Sequence, residues 1–131
     1  MRNLFVLFVS GCLLACLSAC SSNKQQTSAA FGQSSVTGVL IDQACGTKMM
    51  AQDDPEKAAS SHTKECATKE ACAASGYAVI TGKDMIKFDD NGNQLAKDFL
   101  AKTDKTDNLR VTVEGTRNGD MMIVTAINPV D

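Results

Sequence analysis

The chain has 131 residues, a formal net charge of −2, 44% hydrophobic and only 5% aromatic residues, six cysteines and a single histidine. A slightly acidic chain with so few rings has nothing like the basic, ring-lined stripe that single-stranded nucleic acid needs, so nucleic-acid binding is disfavoured. Its length suits one small domain that buries most but not all of its apolar surface.

Arg2 and the apolar run from Leu4 to Leu17 form a short positive region followed by a stretch too short to span a bilayer comfortably, so residues 1–19 read as a signal peptide. The run ends in Leu17-Ser18-Ala19-Cys20, which resembles the lipobox of bacterial lipoproteins: a large apolar residue, two small ones and an obligatory cysteine. Leu13-Leu14-Ala15-Cys16 is a poorer second match. The resemblance implies a diacylglyceryl group on Cys20, cleavage just before it, acylation of the new amine, and a chain held at a membrane of the bacterial cell envelope. Several acyl chains anchor far more firmly than one. Ser21 and Ser22, with no Asp after the cysteine, imply sorting to the outer membrane, facing the periplasm. Ser21 to Ser28 is polar and without apolar periodicity, so residues 20–35 read as a flexible tether ahead of a single domain over 36–131.

Val36 to Asp42 is rich in β-branched and apolar residues and reads as the first strand, ending in an Ala44-Cys45-Gly46 turn. Asp53 or Asp54 before Pro55 and Glu56 has the grammar of a helix start. Thr63 offers another cap, and Gly76 sits where a helix over Lys64–Ser75 stops, so the segment predicts one interrupted helix or two short ones. Tyr77–Thr81 and Met85–Phe88 are short strands joined by Gly82-Lys83-Asp84.

Asp89-Asp90-Asn91-Gly92-Asn93 lacks the register of a calcium loop and reads as turn and cap before a helix over Gln94–Lys102 that buries Leu95, Phe99 and Leu100. Asn118-Gly119 predicts a type I′ turn between strands Leu109–Thr116 and Met121–Ile127. In that register Val113 faces Val124, Val111 faces Ala126 and Gly115 faces Met122, on the core side with Leu109. Five strands, a helical insertion after the first and a helix after the third match the OB-fold, a five-stranded Greek-key barrel; an antiparallel sheet with helices on one face satisfies the same string.

Cys12 and Cys16 leave with the signal and Cys20 is consumed by lipid, so Cys45, Cys66 and Cys72 are the available thiols. All three lie at or in the insertion, as does His62, in the spacing H-x₃-C-x₅-C. On a continuous helix His62 and Cys66 share a face, whereas Cys66 and Cys72 stand about 9 Å apart by helix rise, so a bridge between them requires the helix to break. Three readings stay open. Export favours a disulfide among Cys45, Cys66 and Cys72, with one thiol left over; closing a loop of roughly twenty to thirty residues from Cys45 is worth roughly 3–4 kcal/mol. Cys45, His62, Cys66 and Cys72 could instead hold zinc tetrahedrally, or copper(I) with Met49 or Met50 nearby. The third is an active redox thiol. His62, in a Ser-Ser-His-Thr context, reads by itself as a surface residue or a cap neighbour.

No oxyanion or acid partner for a Cys–His pair can be named, and no C-x-x-C spacing supports thiol exchange. Two functions are therefore expected: a non-enzymatic, membrane-tethered module that binds a partner in the envelope, or a metal-binding lipoprotein. The domain also loosely resembles small exported bacterial OB-like domains of uncharacterised function, on Asp42-Gln43-Ala44-Cys45-Gly46, Gly76-Tyr77 and the last hairpin.

Overall fold

The computed structural model describes residues 32–131; the expected signal peptide, Cys20 and most of the tether lie outside the described residues. Strand β1 (Gln33–Asp42) is followed by four short helices, α1 (Gln43–Met49), α2 (Pro55–Ser60), α3 (Lys64–Thr68) and α4 (Glu70–Ala74). Then come β2 (Tyr77–Thr81), β3 (Asp84–Phe88), α5 (Asp90–Lys102), β4 (Arg110–Asn118) and β5 (Met121–Pro129). The result is a mixed five-stranded sheet with helices. Its pairings run β1-β2-β3-β5-β4, with β4 back on β1, so every strand has two strand neighbours. The β3–β5 pair is parallel, a distant pairing that leaves no local trace in the sequence.

The inner face packs Leu40, Val79, Ile86, Phe88, Val111 and Val113, among others, against Leu100 of α5. A second cluster of Val39, Ile41, Ala59 and Ile80 lies on the opposite face, with Cys45, Met49, Met50 and Met85 against it. Strands β1 and β2 are thus covered on both sides at the same level, which is why Val39–Asp42 and Tyr77–Ile80 are unbroken buried runs. The helical insertion supplies the outer cover.

Short polar side chains start the helices. Asp54 accepts from the Lys57 amide ahead of Pro55, and Thr63 accepts from the Cys66 amide. Lys69, at φ −59° and ψ 140°, breaks the expected Lys64–Ser75 helix into α3 and α4. Two local readings are corrected. Ala44-Cys45-Gly46 is no turn but the first turn of α1, because Asp42 caps it. Asp90–Asn93 is already helical, because Asp89 accepts from the Gly92 amide and starts α5 four residues early.

The last hairpin also differs. Asn118 pairs with Met121, leaving Gly119-Asp120 as the two-residue loop, and only Gly119 has positive φ, as at the first central position of a type II′ turn. Val113 therefore pairs with Ile127 and Gly115 with Val124, with a bulge between Glu114 and Gly115. The slip near the turn is two residues, and side chains alternate with period two, so Leu109, Val111, Val113, Met122 and Val124 still face inward.

Helix α5 is stitched to β5 at one residue: the Val124 amide donates to Asp89, and Asn91 donates to the Val124 carbonyl. A Cβ on Gly92 would lie 2.6 Å from Val124 Cγ2 and 2.8 Å from Phe88 Cβ. Gly92→Ala should therefore overpack this contact and destabilise the domain by about 1–3 kcal/mol, read as a lower urea midpoint.

The insertion is clamped down by Glu56 on α2, which accepts from the Gly82 amide in the β2–β3 turn and from Arg110 of β4 at 2.7 Å. The Gly82 amide and the Arg110 charge hold its carboxyl below the usual value of 4.5 despite burial. A folded-state pKa depressed in this way contributes stability above the unfolded value, and the contribution is lost as pH falls through the lowered one. Glu56→Gln should accordingly lower the urea midpoint at pH 7 and flatten its fall below pH 4.5.

Candidate metal site

The two ends of the insertion meet at the base of the sheet. Asp42 closes β1 and pairs with Tyr77, which opens β2, and the Gln43 amide donates to the Gly76 carbonyl at 2.8 Å. Gly76 takes φ +82°, a left-handed turn that suits glycine. Everything between these residues is held by one closed neck.

Two of the thiols arise from the same local grammar. Asp42 accepts from the Cys45 amide at 2.9 Å and Thr63 from the Cys66 amide at 3.2 Å, so each cysteine is the third residue past a cap. Cys72 comes from α4, beyond the break at Lys69. The break removes the helical separation from Cys66. The sulfurs of Cys45, Cys66 and Cys72 lie within 4.8 Å of one another, and all three are half-buried free thiols.

His62 sits just before the cap Thr63, outside α3, and is only 6% exposed. The surface reading of this residue is thus corrected, and so is the shared helical face with Cys66. Its nearest polar neighbours are different: Asp42, Cys45 and His62 form a second set of potential ligand atoms within 4.8 Å of one another. The expected tetrad is therefore two overlapping triads joined at Cys45. Met49 and Met50 pack against the outer cluster beside Cys45.

Asp42 is fully buried. Its Oδ1 caps α1, and its Oδ2 is 3.1 Å from His62 Nε2, a close contact not aligned for a hydrogen bond. Asp42 Oδ2 and both ring nitrogens of His62 consequently have no hydrogen-bond partner among the described residues. Unpartnered buried polar atoms are costly; Asp42 Oδ2 and His62 Nε2 are close enough to satisfy each other, whereas His62 Nδ1 has no hydrogen-bond partner among the described residues.

Burial lowers the His62 pKa more than Asp42 raises it, which favours the neutral imidazole, the form that binds metals. Burial, then the negative charge of Asp42 and the neighbouring Cys66, pushes the Cys45 thiol up to about 12. Burial and the same neighbours raise Cys72. Protons on these thiols would have to leave when an ion binds. Cys45, Cys66, Cys72 and His62 together offer soft sulfur and borderline nitrogen donors, the chemistry of zinc or copper(I).

The sequence reading missed Asp42 and Tyr77. Asp42 resembled any strand-terminal residue, although Asp followed three residues later by Cys45 repeats the Thr63–Cys66 spacing. Tyr77 lies in the core, and its hydroxyl donates to the Ala67 carbonyl of α3 at 3.0 Å. Burial, followed by Asp42 and Cys72, raises its pKa.

Compared with family models, curated proteins and solved structures, the chain matches none. Among the described residues no helix is long and apolar enough to cross a membrane. A concavity of about 350 Å³, walled by Leu95, Phe99, Ile127 and Pro129 with Asp98, Lys102 and Thr103, contains none of the thiols.

Tyr77→Phe should cost about 1 kcal/mol, because the Ala67 carbonyl loses its buried donor while the ring stays packed. Thermal unfolding of the two proteins measures the difference.

Proposed function

We propose that this chain is a lipoprotein of the bacterial cell envelope, anchored through Cys20, whose domain is a non-enzymatic metal-binding module. The ion is thiophilic, zinc or copper(I), with Cys45, Cys66 and Cys72 as ligands and His62 as the fourth donor. The observation that carries the reading is the meeting of three free thiols, one of which, Cys45, also lies beside a buried histidine whose ring nitrogens lack hydrogen bonds. A zinc–sulfur bond of 2.3 Å sets tetrahedral sulfur separations of about 3.8 Å, so thiols within 4.8 Å need to close by only about 1 Å.

The anchor reading rests on the resemblance of Leu17-Ser18-Ala19-Cys20 to a lipobox, with an outer-membrane, periplasm-facing location as its corollary. For the domain we propose an OB-like Greek-key barrel. The strand order β1-β2-β3-β5-β4 and the helix between β3 and β4 support it. An envelope protein that receives or delivers the ion is the partner this placement suggests.

A second reading is favoured by the same sulfur cluster: one structural disulfide and one spare thiol, as an oxidising compartment promotes. Native mass spectrometry of protein purified from its own membrane, with thiol counting after denaturation and chelation, separates the two. The metal reading expects one or more bound ions and three reactive thiols. It also expects loss of the ion in Cys66→Ser and Cys72→Ser and a weaker affinity in His62→Ala. A metal-free chain with one disulfide and one thiol would refute it.

A further inference from the structure

We propose that Asp42 is a positioning residue that biases this site towards a divalent thiophilic ion and away from a monovalent one, through its charge beside Cys45 and His62. The inference rests on the metal reading and goes beyond it by naming what sets the charge of the bound ion.

The geometry gives Asp42 two separate tasks. Oδ1 holds the Cys45 amide and thereby fixes the first turn of α1, which presents the Cys45 thiol. Oδ2 stands 3.1 Å from His62 Nε2, and the Cys45 sulfur lies within 4.8 Å of ligand atoms of both Asp42 and His62. A carboxylate behind a ligating imidazole orients the ring and raises its basicity.

The charge around this pair is one-sided. The groups that face Asp42 are Cys45, His62, Cys72 and Tyr77, and none of them supplies a fixed positive charge. Among the described residues the Lys and Arg ion pairs lie elsewhere, at Lys87–Asp120, Arg110–Glu56 and Arg117–Asp84. Three thiolates and one carboxylate would converge here when metal is bound. A divalent ion cancels two of those charges and a monovalent ion only one, and the difference weighs most in a buried site.

The test is the full chain with Asp42→Asn. Asparagine caps a helix as well as aspartate does, so α1 should remain in place. Urea unfolding of the metal-free variant should match or exceed the wild type, because a buried unpaired charge has been removed. Competition titrations with Zn(II) and with Cu(I), the latter without oxygen, should show Zn(II) affinity falling 10–100-fold and Cu(I) affinity falling much less. Equal losses for both ions, no loss for either, or a clearly less stable metal-free variant would each overturn the inference. A wild-type chain that binds neither ion fails at the first titration, which refutes the metal reading itself. Asp42→Ala, which removes cap and charge together, should destabilise the metal-free protein, and its contrast with Asp42→Asn isolates the charge.

Discussion

The buried carboxyl group of Asp42 is the constraint on which the rest of the structure depends. It lies where β1 becomes α1, fully removed from solvent, with one oxygen on the Cys45 amide and the other against the His62 ring. A strand that turns straight into a helix leaves amides without partners, and a capping side chain is the local remedy. Here the remedy is buried, so the second oxygen must also be accommodated. The chain accommodates it by bringing His62 down from the end of α2, and with it the start of α3 that carries Cys66.

The sheet makes that arrangement rigid. Because β1 and β2 are packed on both faces, the Asp42–Tyr77 neck cannot shift without disturbing either the inner core or the outer cluster around Ile41 and Ile80. Tyr77 reaches from the neck to the Ala67 carbonyl, and Glu56 ties α2 to the β2–β3 turn and to β4. Helices of five to seven residues have almost no stability of their own, so these ties and the buried faces hold them. A thiol cluster borne by such helices is positioned by the sheet beneath it.

How much was legible depended on the range of the interaction. The caps at Asp54 and Thr63, the left-handed Gly76 and the alternation in β4 are local, and they appear as read. The final hairpin shows the limit: Asn118-Gly119 marked the turn, but which residue opened it depended on the bulge at Glu114/Gly115 and on the side-chain bonds that hold Val124. His62 shows it more sharply. Four serine, threonine and lysine neighbours suggested solvent, yet its ring is covered because Asp42, distant in sequence, lies beneath it.

The sequence by itself determined the element order, the inward-facing residues, the cap residues that begin α2 and α3, and the confinement of Cys45, His62, Cys66 and Cys72 to one segment. Periodicity and capping act within a few residues, so they survive in the linear pattern. Tertiary structure alone decided that β3 and β5 pair in parallel, that the chain breaks at Lys69, and that three sulfurs meet at Cys45, which also lies beside Asp42 and the buried imidazole. Those outcomes follow from closing the neck at Asp42 and Tyr77 and covering both faces of β1 and β2, contacts between residues whose proximity no local pattern records.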